Sequence, residues 1–203
     1  MIKFHSYEGK NIDTLKEMCQ NELGLPLNKI YIIENEKESG LFKGKKAVLE
    51  AISEDEIISS IKEFINNLST NMNLEINSEI KIQDNNINVI LVSDNNNVLI
   101  GKDGKTLNAL QLVLRQVYSE LNRFNLKISL DVANYKIKKI KNLEREIKSI
   151  CKEILNTKVD VKLDPMNSYE RRIVHSVVSE YDNLESISEG VEPSRYTIIK
   201  YKG

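Results

Sequence analysis

Two stretches of the sequence place residue types that can do chemistry at a useful spacing. In "MNSYERRIVHSVVSEY", Arg171 and His175 stand four apart, Arg172 is adjacent, and Arg195 returns after "SISEGVEPSR". On a helix that spacing puts Arg171 and His175 on one face, one turn apart. Arg offers a planar fork to phosphate oxygens, and His offers a hydrogen bond or, when protonated, a charge. The second stretch is "VLIGKDGKTLNALQLV". It breaks an apolar run at Gly101, passes Lys102 and Asp103 to Gly104, and resumes at Lys105 with helical spacing. Glycines at 101 and 104 let backbone come close to something that is not protein, and a helix starting at Lys105 presents unsatisfied N–H groups of the kind that suit phosphate. Ile100 and Leu107 flank the loop and anchor it. Asp103 sets a negative charge in the loop that Lys102 only partly offsets, so affinity through this loop alone is expected to be modest.

The same residues give little to catalysis. The chain has two His residues, which puts a multi-histidine metal site out of reach, and it contains no P-loop, GxSxG or HExxH pattern. His175 has no Cys, Ser or acid at a recognised catalytic spacing. No catalytic residue, metal or cofactor is expected. Cys19 and Cys151 follow no CxxC spacing and sit in helical patterns, which reads as two buried thiols. The start lacks the apolar core of a secretory signal, and no segment approaches the eighteen or so apolar residues of a membrane span. The sequence therefore predicts a cytoplasmic protein that is not membrane-embedded.

The elements that must position these residues fall into three segments, and the fold class expected is α+β. Residues 1–53 balance eight Lys against eight acids; residues 54–134 carry seven Lys or Arg against eleven acids; residues 135–203 carry fourteen against eleven. The overall charge of −1 exerts no global pull on a polyanion, so any such surface must be local. The first segment reads β-α-β-β, with a helix closed by Gly24 and two strands joined by "KESGLFKG"; it leaves one sheet face exposed unless something covers it. In the second, Ser53 caps a helix whose Ile57, Ile58, Ile61, Phe64, Ile65 and Leu68 share a side. Two strands, a short helix, the glycine loop, a helix over "KTLNALQLVLRQVYSELN" and a strand come next, giving α-β-β-α-α-β. A long helix from Tyr135 to about Leu155, with a dense basic beginning, leads into the third segment. There "KVDVKLD" reads as a strand, "NSYERRIVHSVVSEY" as a helix, "LESISEG" as a loop and "RYTIIKYK" as a strand.

The element order around "IGKDG" resembles the bacterial arrangement of the KH domain, in which a GxxG loop clamps about four nucleotides. The combination of Arg171, His175, "ISEG", "EP" and a basic strand resembles the single-strand-binding domain named after its Arg-x-x-x-His signature. In that family the Arg and His are associated with nucleic-acid contact. With the two modules in this order, the chain resembles the bacterial Jag family. "ESGLFKGKKAV" is similar to the family's Gly-Leu-Phe-Gly stretch, with Lys43 where a Gly usually follows the Phe. "LIGKDGKTLNALQ", "LDVANYK" and "PMNSYERRIVH" match, and the resemblance covers nearly the whole length. It implies domains at 1–53, 54–134 and 135–203, and single-stranded RNA as ligand of Ile100, Gly101, Lys102, Asp103, Gly104, Lys105, Arg171, Arg172, His175 and Arg195. It also implies a small KH-domain partner or a homodimer, an association with a membrane-protein insertase, and a link to cell-envelope growth. The family often has a long linker after its first domain, and this chain has almost none. Two other readings stay open: a protein-interaction adaptor, which the acidic 54–134 segment favours, and a single-stranded DNA binder.

Overall fold

The computed structural model describes residues 2–39 and 43–203. The Gly-Leu-Phe match at 40–42, and the turn that carries it, lie outside the described residues. The fold is α+β, with three three-stranded sheets, and the chain divides into two compact units, Met1–Ala133 and Asn134–Gly203.

The first unit opens with β1 (His5–Gly9), α1 (Ile12–Leu23), β2 (Ile30–Ser39) and β3 (Lys43–Ser53), in the sheet order β1-β3-β2 with both pairs antiparallel. Asn11 caps α1 by accepting from the Asp13 amide at 2.8 Å, and Gly24 ends it in the left-handed conformation at φ 64°. Leu15 and Cys19 of α1 bury against Tyr7, Ile30, Leu49 and Ala51, which covers one sheet face. The opposite face, expected from the sequence to be open, is also covered. Val48 and Ile52 are buried there, Glu50 pairs with Arg123, and Phe4 stacks on Phe124 at 5.3 Å.

No linker separates this sheet from the next helix. Ser53 ends β3 and caps α2 (Glu54–Met72) in a reciprocal capping box with Glu56. The other Glu56 oxygen meets His5 Nε2 at 2.7 Å, tying β1 to the start of α2. Ile57, Ile61 and Ile65 are buried at the predicted helical spacing, while Ile58, Phe64 and Leu68 on the same side are half-buried. β4 (Ile76–Gln83), β5 (Asn86–Ser93) and β6 (Lys127–Val132) form the second sheet, β4 antiparallel and β6 parallel to the central β5. β5 alternates, with Ile87, Val89 and Leu91 buried and Asn88 and Val92 exposed, so the helices cover one face only.

Between β5 and β6 lie α3 (Asn96–Ile100), a short turn, and α4 (Lys105–Val117). The sequence predicts one helix running to residue 122, but α4 stops at Val117 and residues 119–124 tighten into a 3₁₀ turn. The reason is burial. A three-residue repeat aligns Tyr118, Leu121 and Phe124 on one side, all are buried, and Tyr118 Oη donates to the Ser60 carbonyl at 2.7 Å.

The second unit contains α5 (Tyr135–Thr157), β7 (Val161–Lys162), α6 (Ser168–Val178), β8 (Leu184–Glu189) and β9 (Tyr196–Tyr201), in the sheet order β7-β9-β8. Ile147, Cys151 and Ile154 of α5 pack with Val174, Val177 and Val178 of α6 and with Leu184 and Ile199 of the sheet. Lys139 bonds Glu170 at 2.8 Å and Lys148 bonds Glu180 at 3.1 Å, so α5 and α6 run side by side in the same direction. Two sequence expectations need correction. The strand expected over 158–164 shrinks to Val161–Lys162. "LESISEG" is not a loop: β8 pairs with β9 along its full length, from Leu184↔Tyr201 to Glu189↔Tyr196.

Candidate nucleic-acid interface

The glycine loop is shaped by three left-handed residues in four positions. Gly101 has φ 69°, Asp103 φ 57° and Gly104 φ 83°. The Gly101 amide closes α3 on the Asn97 carbonyl at 2.8 Å, and the Gly104 amide closes the turn on the Gly101 carbonyl at 3.2 Å. A β-carbon at Gly101 would lie 2.1 Å from Thr106 Oγ1, so glycine is required there by the protein's own packing as well as by φ. Leu99 and Leu107 are buried on either side and fix both helix ends to the core, while Ile100 is half-buried. Lys102, Asp103 and Lys105 are exposed at the rim. Among the described residues no side chain caps α4, which begins on Gly104. The result is a tight turn, its Gly101 and Gly104 amides spent on internal carbonyls, that sets two exposed ammonium groups beside the start of α4, where they suit an anionic strand.

The Arg/His helix is built differently from an open phosphate site. Asn167 caps α6 by accepting from the Tyr169 and Glu170 amides, both at 3.0 Å, and Glu170 returns a carboxylate to the Asn167 amide. As the spacing requires, Arg171 and His175 share a face, but that face turns inward, beside Val174 and Val178. Arg171 is 7% exposed. Its Nη1 donates to the Met166 carbonyl at 2.7 Å and pairs with Glu192 at 2.9 Å. The guanidinium thereby ties α6 to the segment before it and to the β8–β9 loop. His175 Nδ1 lies 2.6 Å from Ser186 Oγ and Nε2 lies 2.8 Å from Ser188 Oγ. Ser188 Oγ in turn meets buried Thr197 Oγ1 at 3.2 Å, which links α6, β8 and β9. Burial first, then the neighbouring Arg171 charge, holds the His175 imidazole below its ordinary value. A neutral ring serves both serines, donating to one and accepting from the other.

Of the other basic residues singled out by sequence, Arg172 is exposed on the outer side of α6, and Arg195 is half-buried just before β9. Arg195 Nε is enclosed without a hydrogen-bond partner among the described residues. Sequence reasoning missed the groups that hold this region together: Ser186, Ser188, Glu192 and the Met166 carbonyl. The one available signal was "SIS" at strand period two, which places two hydroxyls on the same side of β8. Cys19 and Cys151 are free, buried thiols, as expected. Among the described residues no helix is long and apolar enough to cross a membrane.

Comparison with known proteins places two family models on the chain. A KhpA/KhpB KH domain matches residues 59–132, and the Arg-x-x-x-His domain matches residues 138–201. An RNA-binding protein KhpB from Clostridium symbiosum is 33% identical over 172 residues, covering 82% of this chain and 78% of that protein. An RNA-binding protein KhpB from Bacillus subtilis is 25% identical over 200 residues, covering 96% of each. A third, from Lactiplantibacillus plantarum, is 32% identical over 102 residues, covering 50% of this chain and 32% of its own length.

Proposed function

The chain belongs to the KhpB (Jag) family, and on that premise we propose that it is a non-enzymatic, cytoplasmic protein of three modules, 1–53, 54–134 and 135–203, that binds single-stranded RNA through the second and third. The observation that carries the reading is the loop between α3 and α4: three left-handed residues, an uncapped helix start and exposed Lys102 and Lys105 in one turn. In this reading Ile100, Gly101, Lys102, Asp103, Gly104 and Lys105 form the clamp. Arg172 and Arg195 supply phosphate contacts in the third module. Arg171 and His175 act on RNA by holding the β8–β9 loop and β8 in place.

The test is crosslinking in cells followed by sequencing of bound nucleic acid and mapping of the crosslinked peptides. RNA joined to peptides spanning 100–105 is the expected result. Recovery of DNA would turn the reading to a single-stranded DNA binder, and recovery of protein partners alone would replace it with the adaptor.

A partner reading has its own observation. On α4 Val113 and Val117 stand one turn apart on the outward surface, 49% and 55% exposed, and Leu112, 69% exposed, lies on its flank beyond Gln116. A surface of that kind on one helix fits a second KH fold, either a small KH-domain protein or another copy of this chain. The family resemblance extends the proposal to association with a membrane-protein insertase and to a role in cell-envelope growth. Co-purification with the insertase, lost on deleting the chain's first 53 residues, is the result expected for those roles.

A further inference from the structure

Helix α5 carries an unbalanced face that the RNA reading has not used. Lys138, Lys141, Arg145, Lys148 and Lys152 are all exposed and recur at steps of three and four residues. At 1.5 Å per residue they form a line about 21 Å long, with a cation about every 4.5–6 Å. The acids of the helix lie elsewhere: Glu146 and Glu153 are on the other flank, and half-buried Glu144 borders the line beside Lys148. Lys148 is engaged by Glu180 at 3.1 Å. Among the described residues no carboxylate lies within ion-pair distance of Lys138, Lys141, Arg145 or Lys152.

A solvated helix face ordinarily mixes signs, because opposite charges three or four apart add a few tenths of a kcal/mol and like charges subtract as much. Here every adjacent pair along the line is like-charged, so the arrangement weakens the isolated helix. An anionic ligand laid along the face removes that repulsion.

We infer that this face of α5 is a second phosphate track, along which an RNA strand runs; the inference rests on the RNA reading above. A lipid surface fits less well. The apolar side of α5, with Ile147, Cys151 and Ile154, is committed to the core of its unit and cannot enter a bilayer. The track reads charge and no bases, so it adds affinity without sequence preference.

The test compares the full chain with a Lys138→Gln, Lys141→Gln, Arg145→Gln, Lys152→Gln variant, using a labelled oligouridine of about twenty nucleotides across a salt series. Each lost phosphate contact on a single strand removes roughly 0.7 from the slope of log affinity against log salt. The variant should therefore bind at least about tenfold more weakly at low salt, with a slope shallower by as much as about 2.8. A Glu146→Gln, Glu153→Gln variant should keep the original slope. Glutamine is a good helix former and the substitutions remove like-charge repulsion, so melting should hold or rise slightly. Should the fourfold variant unfold, Arg145→Gln with Lys152→Gln carries the same test at half the effect. A parallel arm offers vesicles of phosphatidylcholine with phosphatidylserine. If the wild-type chain binds oligouridine and the variant matches its slope, the track is wrong and the RNA reading stands. If vesicle binding alone is lost, the ligand is a membrane and the inference falls. If the wild-type chain fails to bind oligouridine at low salt, the RNA reading fails and takes this inference with it.

Discussion

Arg171 and Glu192 face each other at 2.9 Å, the first 9% and the second 57% exposed at the side chain. The same Arg171 nitrogen also donates to the Met166 carbonyl, so a residue whose type fits phosphate binding is spent on the protein itself. Arg171→Ala leaves that carbonyl and the loop carboxylate without their cation and should destabilise the second unit by about 2–3 kcal/mol, near the range for hydrogen bonds to a charged group. Glu192→Gln should cost less than about 1 kcal/mol, because that carboxylate is more than half in water. Thermal melting measures both. The slope of RNA affinity against salt should be the same for Arg171→Ala as for the wild type below the melting range. A shallower slope with unchanged melting would place Arg171 on phosphate instead.

The His175 ring should make the second unit sensitive to mild acid. Burial and the Arg171 charge lower its folded-state pKa, so below the unfolded value of about 6.5 the unfolded chain binds the proton that the folded chain resists. Stability from this group is fully present above that value and falls as pH drops towards the folded one. Melting temperature should decline between about pH 7 and pH 5 in the wild type, and His175→Asn should flatten that decline. A wild-type melting temperature that rises on acidification would show that the protonated ring is the favoured form.

At the loop, Gly101→Ala meets two penalties: a φ of 69°, and a β-carbon 2.1 Å from Thr106 Oγ1 and 2.8 Å from Thr106 Cβ. Together they should destabilise the first unit by about 2–4 kcal/mol. Thr106→Ala, added to Gly101→Ala, removes the closest clash and should restore part of the melting temperature. No restoration would mean that backbone strain and the β-carbon contact that alanine keeps at position 106 account for the loss.

The apolar stripe on α4 should matter for association and not for folding. Val113→Glu with Val117→Glu places charges at positions already 49% and 55% exposed, so melting should change by less than about 0.5 kcal/mol. Sedimentation should show a self-associating chain becoming monomeric, or a co-expressed small KH protein being lost on purification. Association that survives both glutamates would move the partner surface elsewhere.

Most of the fold was legible because its helices carry strong caps and long apolar periods: Asn11, Ser53 and Gly24 mark ends, and Ile57, Ile61 and Ile65 mark a face. The glycine loop was legible because left-handed turns need specific residues. β8 was not, since two of its inward positions are Ser186 and Ser188, whose partner is His175 rather than an apolar core. The end of α4 was missed because Tyr118, Leu121 and Phe124 satisfy a three-residue repeat that also resembles a helix. The spacing of Arg171 and His175 fixed a shared face but not its direction. Val174 and Val178 on that face were the sign that it points into the core.

The central claim is that the loop from Gly101 to Lys105 grips RNA, and charge reversal at its two rim lysines tests it most directly. Lys102 and Lys105 are exposed and make no ion pair among the described residues, so Lys102→Asp with Lys105→Asp should leave melting unchanged. Titrating single-stranded RNA into the full chain at low salt should show at least a tenfold loss of affinity, about 1.4 kcal/mol, with a salt slope shallower by roughly 1.4. Wild-type affinity in a variant that melts normally would contradict the claim.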